Sequence, residues 1–102
     1  MELKIVARNL DLTDALKDYI HKRLTGMERY SNNIIDSELI LHEIRGRYAG
    51  ELIVKVKGQT LTAKSQRKDP YEVIDELKDK IKTQLKKYEE KLSDRRGEYF
   101  YG

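Results

Sequence analysis

His21 and His42 are the only imidazoles in the sequence, and no cysteine accompanies them. A nucleophile needs a neighbouring base and an oxyanion donor, and a metal needs several convergent ligands. Neither histidine sits in an HxH, HExxH or Asp/His cluster, so both read as ordinary surface residues. Glycine loops of the GxGxxG or Walker type, which cradle phosphates, and the GxSxG elbow are missing as well. Gly46, Gly50 and Gly58 fall where the turns of an antiparallel meander are expected. The carboxylates are interleaved with lysines on helix surfaces, the pattern of solvated faces. The sequence therefore implies no catalytic residues, cofactor, metal or small-molecule substrate, and the chain is not expected to be an enzyme.

The side chains left to do chemistry are the cations. Lys and Arg number 21 against 18 Asp and Glu, a net charge of +3. That excess leans mildly toward nucleic acid; its distribution says more. Lys80 to Lys87 carries four lysines and no acid, whereas Glu72, Asp75, Glu76 and Asp79 crowd the stretch before it. Acid early in a helix and base late in it also suit the macrodipole, which accounts for part of the pattern. On a helical wheel centred on Ile81, Lys80, Lys87 and Lys91 fall on one flank of the apolar stripe, and Lys82 and Lys86 toward the other. On an earlier helix Arg23 flanks the stripe, with Lys22 and Arg29 beside or opposite it. If the two helices lie side by side, their facing flanks form a basic groove. Such a groove binds phosphate backbone without reading sequence, and its affinity falls with salt.

The elements that must carry these cations follow from periodicity. Leu3 to Arg8 alternates as a strand, with Leu3, Ile5 and Ala7 inward. After a turn over Asn9 to Leu12, Thr13 can cap a helix running from Asp14 to about Arg29, with Leu16, Ile20, Leu24 and Met27 as its stripe. Ser31-Asn32-Asn33 breaks it. Three strands come next. Ser37 to Ile44 turns Leu39 and Leu41 inward, a second run buries Leu52, Val54 and Val56, and a third buries Leu61, Ala63 and Ser65. Arg45-Gly46-Arg47 and a Gly58-Gln59 loop join them. Asp69 suits an N-cap, with the only proline, Pro70, at the first helical position. Ile74, Leu77, Ile81, Leu85, Tyr88 and Leu92 then make the inner stripe of a long helix, against which Tyr71 is expected to pack its ring toward the strands. The order is β-α-β-β-β-α, an α+β fold of two layers with two helices on one face of a four-stranded mixed sheet.

With 102 residues the chain has room for one domain, expected over 1–93, with a flexible tail over 94–102. The lack of cysteine suits a reducing compartment. No apolar leader precedes the first strand, and no apolar run approaches a membrane span. A cytoplasmic protein without a membrane partner is expected.

Several runs together resemble the ribosome hibernation-promoting factor / ribosome-associated inhibitor (protein Y) family, in its short form. Asp69-Pro70-Tyr71-Glu72-Val73-Ile74-Asp75-Glu76-Leu77, followed by Lys80-Ile81 and Gln84-Leu85-Lys86-Lys87, is similar to the closing helix of that family. Leu12-Thr13-Asp14-Ala15-Leu16 resembles the start of its first helix, and Leu24 through Met27-Glu28 to Tyr30 the end. The Gly58 hairpin with Leu61 and Ala63 matches too. The resemblance spans roughly residues 3–92 in one register. It implies a topology similar to double-stranded-RNA-binding domains. It also implies a partner, the small ribosomal subunit with its 16S rRNA, within the 70S ribosome. Occupying the channel of mRNA and tRNA there would keep ribosomes inactive under stress or in stationary phase. The family's basic positions fall on Arg23, Arg29, Lys80 and Lys87. The chain departs from the pattern at Gly26 and Thr83, with Lys22, Lys82 and Lys91 nearby to compensate. These seven residues are the expected rRNA-binding set. The alternatives are an RNA-binding regulator acting away from the ribosome, and a protein-binding module using Val6, Ile40 and Ile53 on the outer sheet face.

Overall fold

The structure, a computed structural model, describes the backbone of residues 2–101 and the side chains of residues 2–93. Of the tail expected over 94–102, the side chains lie outside those described, while the backbone through residue 101 is helical. The elements run β1 (Glu2–Arg8), α1 (Asp14–Thr25), a short 3-10 helix (Gly26–Arg29), β2 (Ile34–Ile44), β3 (Arg47–Val56), β4 (Gln59–Arg67) and α2 (Pro70–Tyr101). The four strands form one sheet in the order β1-β2-β3-β4. β1 pairs parallel to β2, with α1 in the crossover, and the other two pairings are antiparallel.

Local chemistry sets the helix starts. Thr13 is extended, and its Oγ1 accepts a hydrogen bond from the Leu16 N–H at 3.1 Å. Asp69 Oδ1 accepts from the Tyr71 N–H at 2.9 Å, and its carbonyl accepts from the Val73 N–H at 3.2 Å. α1 ends sooner than its apolar spacing predicts. From Gly26 the chain tightens into the 3-10 helix, which still buries Met27 beneath it.

Turn chemistry sets the hairpins. Ile44 pairs with Arg47, so Arg45 and Gly46 alone make the β2–β3 loop, with φ of 51° and 77°. Two positive φ angles match the right-handed twist of the strands they join. The β3–β4 loop is Lys57-Gly58 and not Gly58-Gln59, because Val56 pairs with Gln59; Gly58 takes φ 90°. The Lys57 N–H donates to the Asn33 carbonyl at 3.1 Å, and the Lys57 carbonyl accepts from the Tyr88 hydroxyl at 2.6 Å. This hairpin is thereby tied to the lead-in of β2 and to α2.

The inner face of the sheet contributes Leu39, Leu41, Leu52, Val54, Val56, Leu61 and Ala63 to one core with the stripes of both helices. Leu3 and Ile5 reach this core from β1, while Ala7, expected inward, is exposed where the strand ends. Tyr71 is half-buried and packs against this core, and its ring also makes a T-shaped contact with Tyr19 on α1. The core also gains Val73, fully buried in the first turn of α2.

Gly50 makes no turn. It lies inside β3, opposite Leu41 and Ser65, and faces α2. A Cβ there would stand 2.7 Å from Val73 Cγ1, 3.0 Å from Leu77 Cδ1 and 3.1 Å from Leu41 Cδ2. The missing side chain lets α2 seat its first two turns directly on the strand backbone. Gly50→Ala is expected to lower stability by about 1–3 kcal/mol through overpacking, read as an earlier urea midpoint with an unchanged m-value.

Candidate nucleic-acid interface

With its apolar stripe against β3 and β4, α2 turns one flank toward α1 and the other toward β4, the outer strand of the sheet. The expected cations divide between these flanks. At 100° per residue, Lys80, Lys87 and Lys91 lie within about 40° of one another, and Lys78 and Lys82 stand on the opposite flank. A single groove holding all seven residues is therefore not formed. Arg23 and Lys22 of α1, Arg29 of the 3-10 helix and Lys82 of α2 gather on the interhelical side. Lys80, Lys87 and Lys91 form a separate row.

On the interhelical side, Tyr19, Lys22, Arg23, Gly26, Arg29 and Lys78 line an open pocket of about 460 Å³. Lys78 is a basic member of this site that sequence reasoning missed; its place three residues after Asp75 was the available signal. Lys22, Arg23 and Arg29 are exposed. Arg23 Nε donates to the Tyr19 hydroxyl at 3.1 Å and lies 3.2 Å from Asp75 Oδ1. The Tyr19 hydroxyl donates to the same carboxylate oxygen at 2.5 Å. That hydrogen bond to Asp75, more than burial, raises the Tyr19 pKa; the bond from Arg23 to Tyr19 is the largest reason the guanidinium pKa also rises. Lys82 lies over the Tyr30 ring, 5.1 Å from its centroid, at the far end of this flank.

The other flank is partly engaged within the protein. Lys80 Nζ donates to the Lys64 carbonyl at 2.6 Å and stands 3.1 Å from Glu76 Oε1. Gln84 Nε2 donates to the Thr62 carbonyl at 2.9 Å. Arg67, from the end of β4, pairs with Glu76 Oε2. Arg67 first and Lys80 second lower the Glu76 pKa below its ordinary 4.5. Lys87 and Lys91 are exposed further along this row.

His21 is exposed on α1, and His42 is half-buried on the outer sheet face. Among the described residues no group of three His, Cys, Asp or Glu could hold a metal, and no helix is long and apolar enough to cross a membrane. Val6, Ile40 and Ile53 are half-buried on the outer sheet face, beside the cross-strand pairs Lys4–Glu38 and Lys64–Glu51.

The lowered Glu76 pKa gives a pH dependence with a definite sign. Folding favours the ionised carboxylate, so its stabilisation is complete above the ordinary carboxylate pKa and disappears as pH falls through the lowered one. Glu76→Gln is expected to be less stable than the parent at neutral pH. The gap should narrow toward zero in acid, measured by urea unfolding between about pH 7 and pH 3.

A family model described as Sigma 54 modulation protein / S30EA ribosomal protein matches residues 3–93. A ribosome hibernation promoting factor from Azotobacter vinelandii is 33% identical over 95 residues, covering 93% of this chain and 89% of that protein. Another from Escherichia coli K12 is 28% identical, covering 90% and 97%. The fold is similar to the N-terminal domain of Thermus thermophilus Protein Y, with a TM-score of 0.80 at 29% identity over 86% of this chain and 99% of that one. A ribosomal subunit interface protein from Coxiella burnetii gives a TM-score of 0.78 at 26% identity, over 87% and 98%. The match of the family model across nearly the whole described chain shows that this protein belongs to the Sigma 54 modulation protein / S30EA ribosomal protein family, the hibernation-promoting factor and protein Y group.

Proposed function

We propose that this protein is a ribosome hibernation factor. In this reading it binds the small subunit in the cytoplasm, occupies the mRNA and tRNA channel through contacts to 16S rRNA, and holds the 70S ribosome inactive. The observation that carries the reading is the cationic pocket between α1 and α2, with Lys22, Arg23, Arg29 and Lys78 around one opening. Relatives named for ribosome hibernation align with nearly the whole length of the chain. Lysine and arginine around an open hollow suit the phosphate backbone of RNA, which is gripped by charge and shape. The protein acts by occupancy and not by turnover.

The two rows contribute differently. The interhelical cluster supplies the main phosphate contacts, with Lys82 extending it. Lys80, Lys87 and Lys91 supply a second row, in which Lys80 also serves the fold through Lys64 and Glu76.

Pelleting with purified small subunits across a salt series tests this. Association should be strong at low salt, and the logarithm of affinity should fall linearly with the logarithm of salt. Reversing Lys22 and Arg29 to Glu should weaken binding and reduce the slope by roughly 0.7–0.9 for each phosphate that is no longer neutralised. Protein that stays in the supernatant at low salt contradicts the proposal. Equally tight binding to an isolated RNA duplex, unaffected by competing ribosomes, points instead to an RNA regulator acting elsewhere.

A further inference from the structure

We infer that Tyr19 and Asp75 are positioning residues: they hold the Arg23 guanidinium by its Nε edge, leaving its two terminal amino groups as a fork for one RNA phosphate in the pocket between α1 and α2. This role rests on ribosomal RNA being the ligand, as proposed above, and adds how one cation of that site is prepared for it.

The contacts form a closed triangle. Arg23 Nε meets the Tyr19 hydroxyl at 3.1 Å and Asp75 Oδ1 at 3.2 Å, and the hydroxyl meets the same oxygen at 2.5 Å. Tyr19 is fixed in turn. Its ring packs T-shaped with that of Tyr71, with centroids 4.9 Å apart and planes at 75°, and Tyr71 stands one residue after Pro70 at the start of α2. The guanidinium also lies beside the Tyr19 ring, with Cζ 5.4 Å from its centroid. Arg23 thus reaches the pocket from a braced base while its side chain remains 45% exposed.

Positioning outweighs simple neutralisation for two physical reasons. An arginine already tethered at one edge loses rotamer freedom before binding rather than during it, which raises affinity. The fork of the guanidinium matches a phosphate bidentately, and a lysine ammonium cannot. Asp75 does remove one net charge from the pocket, but Lys22, Arg29 and Lys78 remain around the opening. An exposed ion pair of this kind adds little to stability by itself, so orientation is the larger consequence.

A double-mutant cycle with the full chain and purified small subunits decides between these. Tyr19→Phe, Asp75→Ala and Arg23→Lys should each weaken binding about three- to tenfold, whereas Asp75→Asn, which keeps an acceptor for Nε, should bind like the parent or tighter. In the Arg23→Lys background, Tyr19→Phe and Asp75→Ala should weaken binding no further. Thermal unfolding of each variant fixes the folded fraction used to calculate its affinity. Effects that simply add in the Arg23→Lys background overturn the inference, as does tighter binding by Asp75→Ala or equal weakness of Asp75→Asn and Asp75→Ala. A parent chain that fails to bind subunits at all overturns the proposed function itself.

Discussion

The seating of α2 on β3 and β4 is the contact on which the other features of this molecule depend. Val73, Ile74, Leu77, Ile81, Leu85 and Tyr88 are buried along one stripe, and Gly50 lets the first turns approach the strand backbone. Close packing of this kind defines the rotation of a helix as well as its distance. That rotation sends Asp75, Lys78 and Lys82 toward α1 and Glu76, Lys80 and Gln84 toward β4. A helix rolled by one residue, about 100°, would bring neither set to its partners.

Three acids of α2 are ties between elements. Asp75 joins α1 through Tyr19 and Arg23, and Glu76 joins β4 through Arg67. Glu89 accepts hydrogen bonds from the Ser31 hydroxyl and the Asn33 side-chain amide, anchoring the segment between the 3-10 helix and β2. These three carboxylates are committed to neighbours, while Lys22, Arg29, Lys87 and Lys91 stay exposed. A net charge of only +3 can therefore coexist with a locally basic surface.

The fold class, element order and most of the core were legible because the apolar residues alternate along strands and recur every three or four positions along helices. Thr13 and Asp69-Pro70 likewise announced the helix starts by their own chemistry. What escaped depends on tertiary context. Gly50 reads as a turn residue in sequence, and only the overlying helix explains its place inside a strand. The contact of Tyr71 with Tyr19, made in addition to its packing on the core, needs α1 within reach, which no local pattern encodes. The basic residues were correctly sorted onto two flanks of α2. Their reach was not legible, since joining them into one groove required knowing that the second flank faces β4. Lys78 was overlooked amid its acidic neighbours for the same reason.

Lys80 and Gln84 also guard the border of the sheet, through their bonds to the carbonyls of Lys64 and Thr62. β4 has a neighbouring strand on one side only, and a border strand of this kind is a template onto which foreign chains can zip. Here two acceptors of that strand are already occupied by side chains leaning over from the helix. An incoming chain must first evict an ammonium and an amide, which sets a barrier against cross-chain growth at that border. The same lysine that enriches the outer surface in positive charge thus also helps keep crowded copies of the protein apart.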